Sequence, residues 1–258
     1  RLSIVHTEGI EVGTAAISPD GQRVAYSARR ADGVPTLFVR DPSDDEARAL
    51  PGTEGAAQPF WSPTSRDVAF FADAFLKCVP AGGGPVRIIA EAGGYAATGG
   101  TWSAGGIIVF NATERGLMRV EASGGRPSPL TNQPAADWAL MWPNFLPDGK
   151  RFVFTAKQFT RTAEASKQGI YLGSLDHPRT IPLLPDLSSA VYAAPGYLVF
   201  ARDGVLTAAP FDLATEHLGE PKTIGGAVAT EPSFYLTAVS AATDGTLAVR
   251  PAPAMALR

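Results

Sequence analysis

The sequence predicts an all-β fold, a six-bladed β-propeller with four antiparallel strands per blade. Three observations predict it. One phrase recurs six times along 258 residues, its closing apolar position returning every 40 to 49 residues, a period that marks propeller blades. Glycine (27) and proline (22) together approach a fifth of the chain, which favours short strands and tight turns over helices. No segment carries an apolar stripe at helical spacing, so a helical solenoid does not fit.

The phrase opens as Ile17-Ser18-Pro19-Asp20-Gly21 with Val24-Ala25-Tyr26, and returns as Trp61-Ser62-Pro63-Thr64-Ser65 with Val68-Ala69-Phe70. Trp102-Ser103-Ala104-Gly105-Gly106 with Ile108-Val109-Phe110, and Phe145-Leu146-Pro147-Asp148-Gly149 with Phe152-Val153-Phe154, follow. A degenerate fifth copy reads Tyr192-Ala193-Ala194-Pro195-Gly196 with Leu198-Val199-Phe200. The sixth is Val239-Ser240-Ala241-Ala242-Thr243-Asp244-Gly245 with Leu247-Ala248-Val249.

Each element has a physical reading. The residue before Ser-Pro ends an inner strand. Pro-Asp-Gly then supplies a fixed φ, an Asx side-chain bond and a left-handed position, which reverse the chain in a tight hairpin. The next run is apolar at successive positions, as a strand buried on both faces between blades requires. A third strand follows, as in Leu37-Phe38-Val39, Leu76-Lys77-Cys78-Val79 and Ile170-Tyr171-Leu172. Short outer strands such as Ser128-Pro129-Leu130 complete the unit, and proline suits such an edge.

Blades are therefore expected at about 15–50, 56–90, 98–131, 140–185, 190–225 and 234–258, the last joined by residues 1–6, in one domain. The sixth copy lacks an outer strand, and Leu2-Ser3-Ile4-Val5 is a strand without a blade. Pairing this N-terminal strand with the C-terminal blade would close the ring and leave no free edge.

A net charge of −3, with lysine and arginine scattered, gives no footprint for nucleic acid. No apolar run approaches the roughly 18 residues that cross a bilayer, so membrane insertion by this stretch is not expected. The single cysteine, Cys78, precludes an internal disulfide and reads as a small buried hydrophobe. The abrupt start at Arg1 and stop at Arg258 read as a domain taken from a longer protein.

The Ser-Pro-Asp-Gly phrase followed by Val-Ala-Phe or Val-Ala-Tyr resembles the PD40, or WD40-like, repeat of TolB-type propellers, over nearly the whole chain. Longer phrases resemble the C-terminal propeller of bacterial membrane-anchored serine/threonine protein kinases. They include Arg48-Ala49-Leu50-Pro51-Gly52-Thr53-Glu54-Gly55, Trp142-Pro143-Asn144-Phe145-Leu146-Pro147-Asp148-Gly149 and Gly169-Ile170-Tyr171-Leu172-Gly173-Ser174-Leu175-Asp176. In that family a cytoplasmic kinase domain precedes one transmembrane helix and then this propeller. The resemblance implies an extracytoplasmic sensor domain, periplasmic or at the cell surface, of a membrane-anchored parent. It carries no ligand site over.

The residues offer no catalytic centre. A His-Arg-Asp loop, an Asp-Phe-Gly motif and a Gly-x-Ser-x-Gly elbow are all missing, and Gly82-Gly83-Gly84 fits a hairpin turn better than a phosphate loop. His6, His177 and His217 fall far apart around the rim, unlike the convergent ligands of a metal site. Asp41, Asp44, Asp45 and Glu46 lack EF-hand spacing and read as a solvated hairpin.

Function is expected where loops from each outer strand to the next inner strand converge, at the mouth of the central channel. Those loops bring Glu54, Gln58, Tyr95, Asp137, Trp138, Trp142, Tyr192, Glu231 and Tyr235. Aromatic rings with polar tips are common anchors of recognition surfaces. Trp142, in its Trp-Pro phrase, fits a structural element that plugs the channel or packs between blades better than it fits a ligand anchor. No cofactor is expected, although the mouth carboxylates leave room for a calcium ion. The expected role is a non-catalytic sensor or binding propeller for a small ligand, peptide or protein. The gating propeller of a prolyl-oligopeptidase-like hydrolase and a TolB-like protein-interaction module are the alternatives.

Overall fold

The computed structural model describes residues 10–30, 33–41, 46–93, 98–112, 116–130, 138–158, 168–177 and 179–253. Every regular element among them is a β-strand. Blade 1 holds β1 (Ile10–Ile17), β2 (Val24–Arg30), β3 (Thr36–Arg40) and β4 (Arg48–Ala49). Blade 2 holds β5 (Ala57–Trp61), β6 (Asp67–Ala72), β7 (Phe75–Pro80) and β8 (Arg87–Glu91). In blade 3 these become β9 (Gly100–Trp102), β10 (Ile107–Ala112), β11 (Gly116–Glu121) and β12 (Ser128–Pro129). Blade 4 has β13 (Trp138–Phe145), β14 (Arg151–Gln158), β15 (Gly169–Ser174) and β16 (Ile181–Leu184). Within each blade the strands pair in chain order from the channel outward.

Blade 5 begins with β17 (Val191–Ala193), β18 (Tyr197–Arg202) and β19 (Val205–Asp212). Its edge is divided: one half of β19 pairs with β20 (His217–Leu218), the other with β21 (Lys222–Ala227). The sixth sector holds two short ladders, β22 (Thr230–Glu231) with β23 (Leu236–Thr237), and β24 (Val239–Ala241) with β25 (Leu247–Val249). The described residues thus form five full blades, not the six that the repeat count predicts. Two local causes account for this. Lys222–Ala227 is drawn onto β19, and Pro251, which cannot donate to a ladder, follows β25 after a single residue. Leu2–Val5 and Ala254–Leu257 lie outside the described residues, and the expected pairing of the termini lies there with them.

The inner strands β1, β5, β9, β13, β17 and β24 stand side by side around the channel, with β24 touching both β17 and β1. Ile17 N–H donates to Ser240 Oγ at 2.8 Å, and the Thr243 N–H and hydroxyl both reach Pro19 O, at 2.9 and 2.7 Å. An apolar cluster fills each gap. Trp61, Val68 and Phe70 meet Ala25, Leu37 and Leu50 between blades 1 and 2. Phe60, Phe71 and Leu76 meet Ile108, Phe110 and Met118 in the next gap. Val153, Ile170 and Leu172 meet Leu198, Phe200 and Phe211 between blades 4 and 5. Phe70, Phe110 and Phe200 are wholly buried, and each such side chain contributes roughly 1.5–3 kcal/mol of apolar burial.

The Ser-Pro-Asp-Gly phrase makes the hairpin it predicts. Ser18 N–H donates to Arg23 O at 2.7 Å and Asp20 Oδ1 accepts Gln22 N–H at 3.0 Å, with Gly21 at φ 72°. Asp148 and Asp244 repeat the Asx bond to Lys150 and Thr246, at 2.9 and 2.8 Å. In blade 2 the left-handed seat falls to Ser65 (φ 59°), whose hydroxyl accepts Asp20 N–H at 3.1 Å and whose carbonyl takes Arg23 Nη2 at 2.5 Å. Neighbouring hairpins therefore interlock. At the outer rim of this end, Arg48 and Arg87 each donate to a carbonyl of the following blade, Ala81 O at 2.7 Å and Ala122 O at 2.8 Å.

Candidate functional site

The opposite end of the channel is built from exceptions. The inner strands β1, β5 and β13 each bulge near the mouth, between Val12 and Ala15, Ala57 and Phe60, and Met141 and Asn144. In β5 and β13 the bulge places Gln58 (φ 52°) and Trp142 (φ 54°) in the left-handed region, rare for bulky side chains. Blade 3 puts Gly99 (φ 85°) at the matching position. A Cβ there would lie 2.7 Å from Trp142 Cε3, so the indole rests directly on glycine backbone.

Trp142 is buried and bonded at both ends. Its backbone N–H donates to Thr98 O at 2.8 Å and its indole N–H to Phe234 O at 2.6 Å. Trp142 thereby links the loop entering blade 3 to the turn between β22 and β23 in the sixth sector. That turn, residues 231–235, is held from below. Ser189 N–H donates to Tyr235 O at 2.7 Å, and Tyr235 itself has φ 56°. Lys157, at the mouth end of β14, donates a short hydrogen bond to the Tyr235 hydroxyl. Its Nζ is also 4.6 Å from the Tyr235 ring centroid. Because a phenol oxygen projects from the ring edge, an ammonium this close to Oη lies beyond the edge, and the hydrogen bond is the governing contact.

Beneath the turn lies a buried polar layer. Thr155 Oγ1 donates to Ser188 O at 2.7 Å, and Asn111 Nδ2 to Leu140 O at 2.6 Å. The Ser188 and Thr237 hydroxyls are 2.7 Å apart, and Ser189 Oγ accepts Thr237 N–H at 2.8 Å. The Thr98 hydroxyl, on a residue only 6% exposed, has no hydrogen-bond partner among the described residues. At the rim, Arg202 grips Asp186 with two bonds of 2.8 Å, which holds the guanidinium pKa above its ordinary value.

Of the residues expected at the mouth, Gln58, Trp142 and Tyr235 are there, and Trp142 and Tyr235 belong to one cluster. Glu54 is exposed on the turn after β4, and Glu231 is exposed with its carboxylate accepting Ser233 N–H at 3.3 Å. Trp138 is half-buried and packs in the gap between blades 3 and 4. Tyr192 packs between blades 4 and 5, where burial raises its phenol pKa. Tyr192 therefore serves the core and not the mouth, because it occupies the same repeat position as Trp61 and Trp102. Tyr95 and Asp137 lie outside the described residues. Lys157, Phe234, Thr98 and the Ser188–Ser189 pair were not anticipated. Lys157 carried a signal: a cation closing the apolar run Phe152-Val153-Phe154-Thr155-Ala156 at its mouth end.

This arrangement can bind and orient. Among the described residues no three of His, Cys, Asp and Glu converge as metal ligands. His177 and His217 sit in hairpins at the other end of the channel, away from the mouth hydroxyls.

No protein-family model matches this sequence, and no curated protein matches it. Solved structures do. A protein assigned as TolB in Agrobacterium tumefaciens superposes with a TM-score of 0.65 at 16% identity, over 94% of this chain and 91% of that one. TolB from Acinetobacter baumannii gives 0.63 at 14%, over 84% of this chain and 55% of that one, so the match spans about half of that protein. A prolyl endopeptidase gives 0.54 at 14%, over 92% of this chain but 38% of the enzyme. At these identities the likeness establishes architecture: the chain has a TolB-like β-propeller fold.

Proposed function

We propose that this chain is a non-catalytic recognition propeller, a protein-interaction module that meets its ligand at the channel mouth. One observation carries the reading. Residues of the repeat are consumed by hairpins and blade gaps, whereas Trp142 and Tyr235, both at positive φ, gather with Phe234 and Lys157 at one end of the channel. Strain of this kind persists where the surroundings over-determine it, and such places are often functional. The phrases resembling receptor-kinase propellers favour one finer assignment, the extracytoplasmic sensor domain of a membrane-anchored serine/threonine kinase. A second reading, the gating propeller of a prolyl-peptidase-like hydrolase, draws support from the likeness to the prolyl endopeptidase propeller.

A thermal-shift screen of peptides, sugars and divalent cations tests the recognition reading, since a ligand of the native state raises the melting temperature. Hits should lose their shift in Phe234→Ala at the mouth and keep it in Arg179→Ala at the far end. The reverse pattern would move the site away from the mouth. The flanking coding sequence separates the two parents: kinase motifs and an apolar span before Arg1, or a Gly-x-Ser-x-Gly elbow after Arg258.

A further inference from the structure

We infer that Lys157 is the anchor of a carboxylate-binding site at the channel mouth, with the Tyr235 hydroxyl as its built-in placeholder. The inference rests on the reading of the mouth as the recognition end.

An ammonium offers three donors, and among the described residues that of Lys157 spends a single donor, on a neutral phenol. No carboxylate among the described residues pairs with it. Other cations at this end are differently placed: Lys77 donates to Asp73 at 2.7 Å, Arg202 is held by Asp186, and Arg250 donates to the carbonyls of Val12 and Gly13 at 3.0 and 3.2 Å. Lys157 is also half-buried, at the end of a strand whose preceding five residues are buried, so its charge is only partly hydrated. A charge in that position gains from an anionic partner, because a charge-assisted hydrogen bond is roughly twice as strong as a neutral one.

The surroundings suit a small anion. The hydroxyl of Tyr235 can turn its proton outward once the ammonium has a better acceptor, and so becomes a second donor to the incoming group. The carbonyls of Phe234 and Tyr235 are already engaged by Trp142 Nε1 and Ser189 N–H, which turns those acceptors away from an anion. The unpartnered Thr98 hydroxyl lies at the same end, on the residue whose carbonyl takes the Trp142 N–H. One ammonium with one or two hydroxyls balances a singly charged carboxylate. A phosphate dianion would call for more cationic charge than the turn provides.

The test uses this chain with butyrate at millimolar concentration and fixed ionic strength, and butyramide as the uncharged isostere. Calorimetric titration should show butyrate binding and no butyramide binding. Lys157→Met, which keeps the apolar stem, should abolish it. Tyr235→Phe, which removes the competing hydroxyl and keeps the ring, should change affinity by about fivefold, the scale of one neutral hydrogen bond. Binding by butyramide as well as butyrate, or binding unaltered in both variants, would overturn the inference. Inorganic phosphate outcompeting butyrate would overturn the carboxylate assignment. An absence of any butyrate response in the wild type sinks the anion site, while the Phe234→Ala screen still reports separately on recognition at the mouth.

Discussion

Hairpins at one end of the channel repeat one solution, while the blades at the other end each present something different. At the hairpin end, Asp20, Asp148 and Asp244 all accept the N–H two residues on, and hairpin binds hairpin through Ser65 with Asp20 and Thr243 with Pro19. At the mouth, the position filled by Gly99 in blade 3 is Gln58 in blade 2 and Trp142 in blade 4, all with positive φ. A shared backbone requirement is thus met by residues of unlike chemistry. The lesson is that repetition in this chain reports the needs of folding, and departure from repetition at a strained position marks where another demand acts.

The largest expected effect ignores the difference between the ends. Phe110 is wholly buried in the gap between blades 2 and 3 and packs against Phe71, with ring centroids 6.2 Å apart. Phe110→Ala should cost about 3–5 kcal/mol in urea unfolding. A loss below about 1 kcal/mol would mean that the gaps do not hold both ends together.

Acid should act on the hairpin end. Burial works against ionisation of Asp148, but the N–H groups of Arg151 and Lys150 and the Arg151 guanidinium outweigh it and hold the carboxyl pKa below 3.8. For Asp244 the Thr246 N–H does the same on an exposed side chain. Each folded-state pKa is lowered, so this stability is fully present above the ordinary carboxylate value. It is lost as pH falls from about 4 towards the depressed folded value. Asp148→Asn should lower stability at neutral pH by about 1 kcal/mol and flatten the acid limb of the melting-temperature profile. An unchanged acid limb would separate the Asx turns from the pH response.

The smallest effect compares two left-handed seats. Gln58→Gly should stabilise by up to about 1 kcal/mol, because the strained φ becomes free. Ser65→Gly should be close to neutral, because relief of the same strain is offset by loss of the bond to Asp20 N–H. Equal gains at both positions, read from chemical denaturation, would erase the distinction between the two ends.

Much of the fold was legible because a blade is short-range. Pro-Asp-Gly dictates a hairpin, and successive apolar residues such as Val68-Ala69-Phe70 dictate a strand buried on both faces. The sixth sector was not legible, since the preference of Lys222–Ala227 for β19 depends on a neighbour already in place. The mouth was half legible. Aromatics in connecting loops led to Trp142 and Tyr235, but the same rule admitted Tyr192, whose repeat position makes it a wedge between blades. Lys157 and Phe234 escaped because their roles come from a contact across blade 5, a separation of 78 residues between Lys157 and Tyr235.

Among the described residues, the seam between the sixth sector and blade 1 differs from the gaps between blades 1 and 5. Each of those four gaps holds both leucine and phenylalanine among the described residues, whereas the sixth sector brings Ala242 and Ala248 against Ile17, Val24 and Tyr26. A closed ring spreads strain evenly only if its joints are equal. The described side chains at this joint include small alanines, so amide exchange should begin along β24 and β25 well before β6 or β10. Exchange that begins at this joint would mark a collar able to change its bore slightly without unfolding a blade.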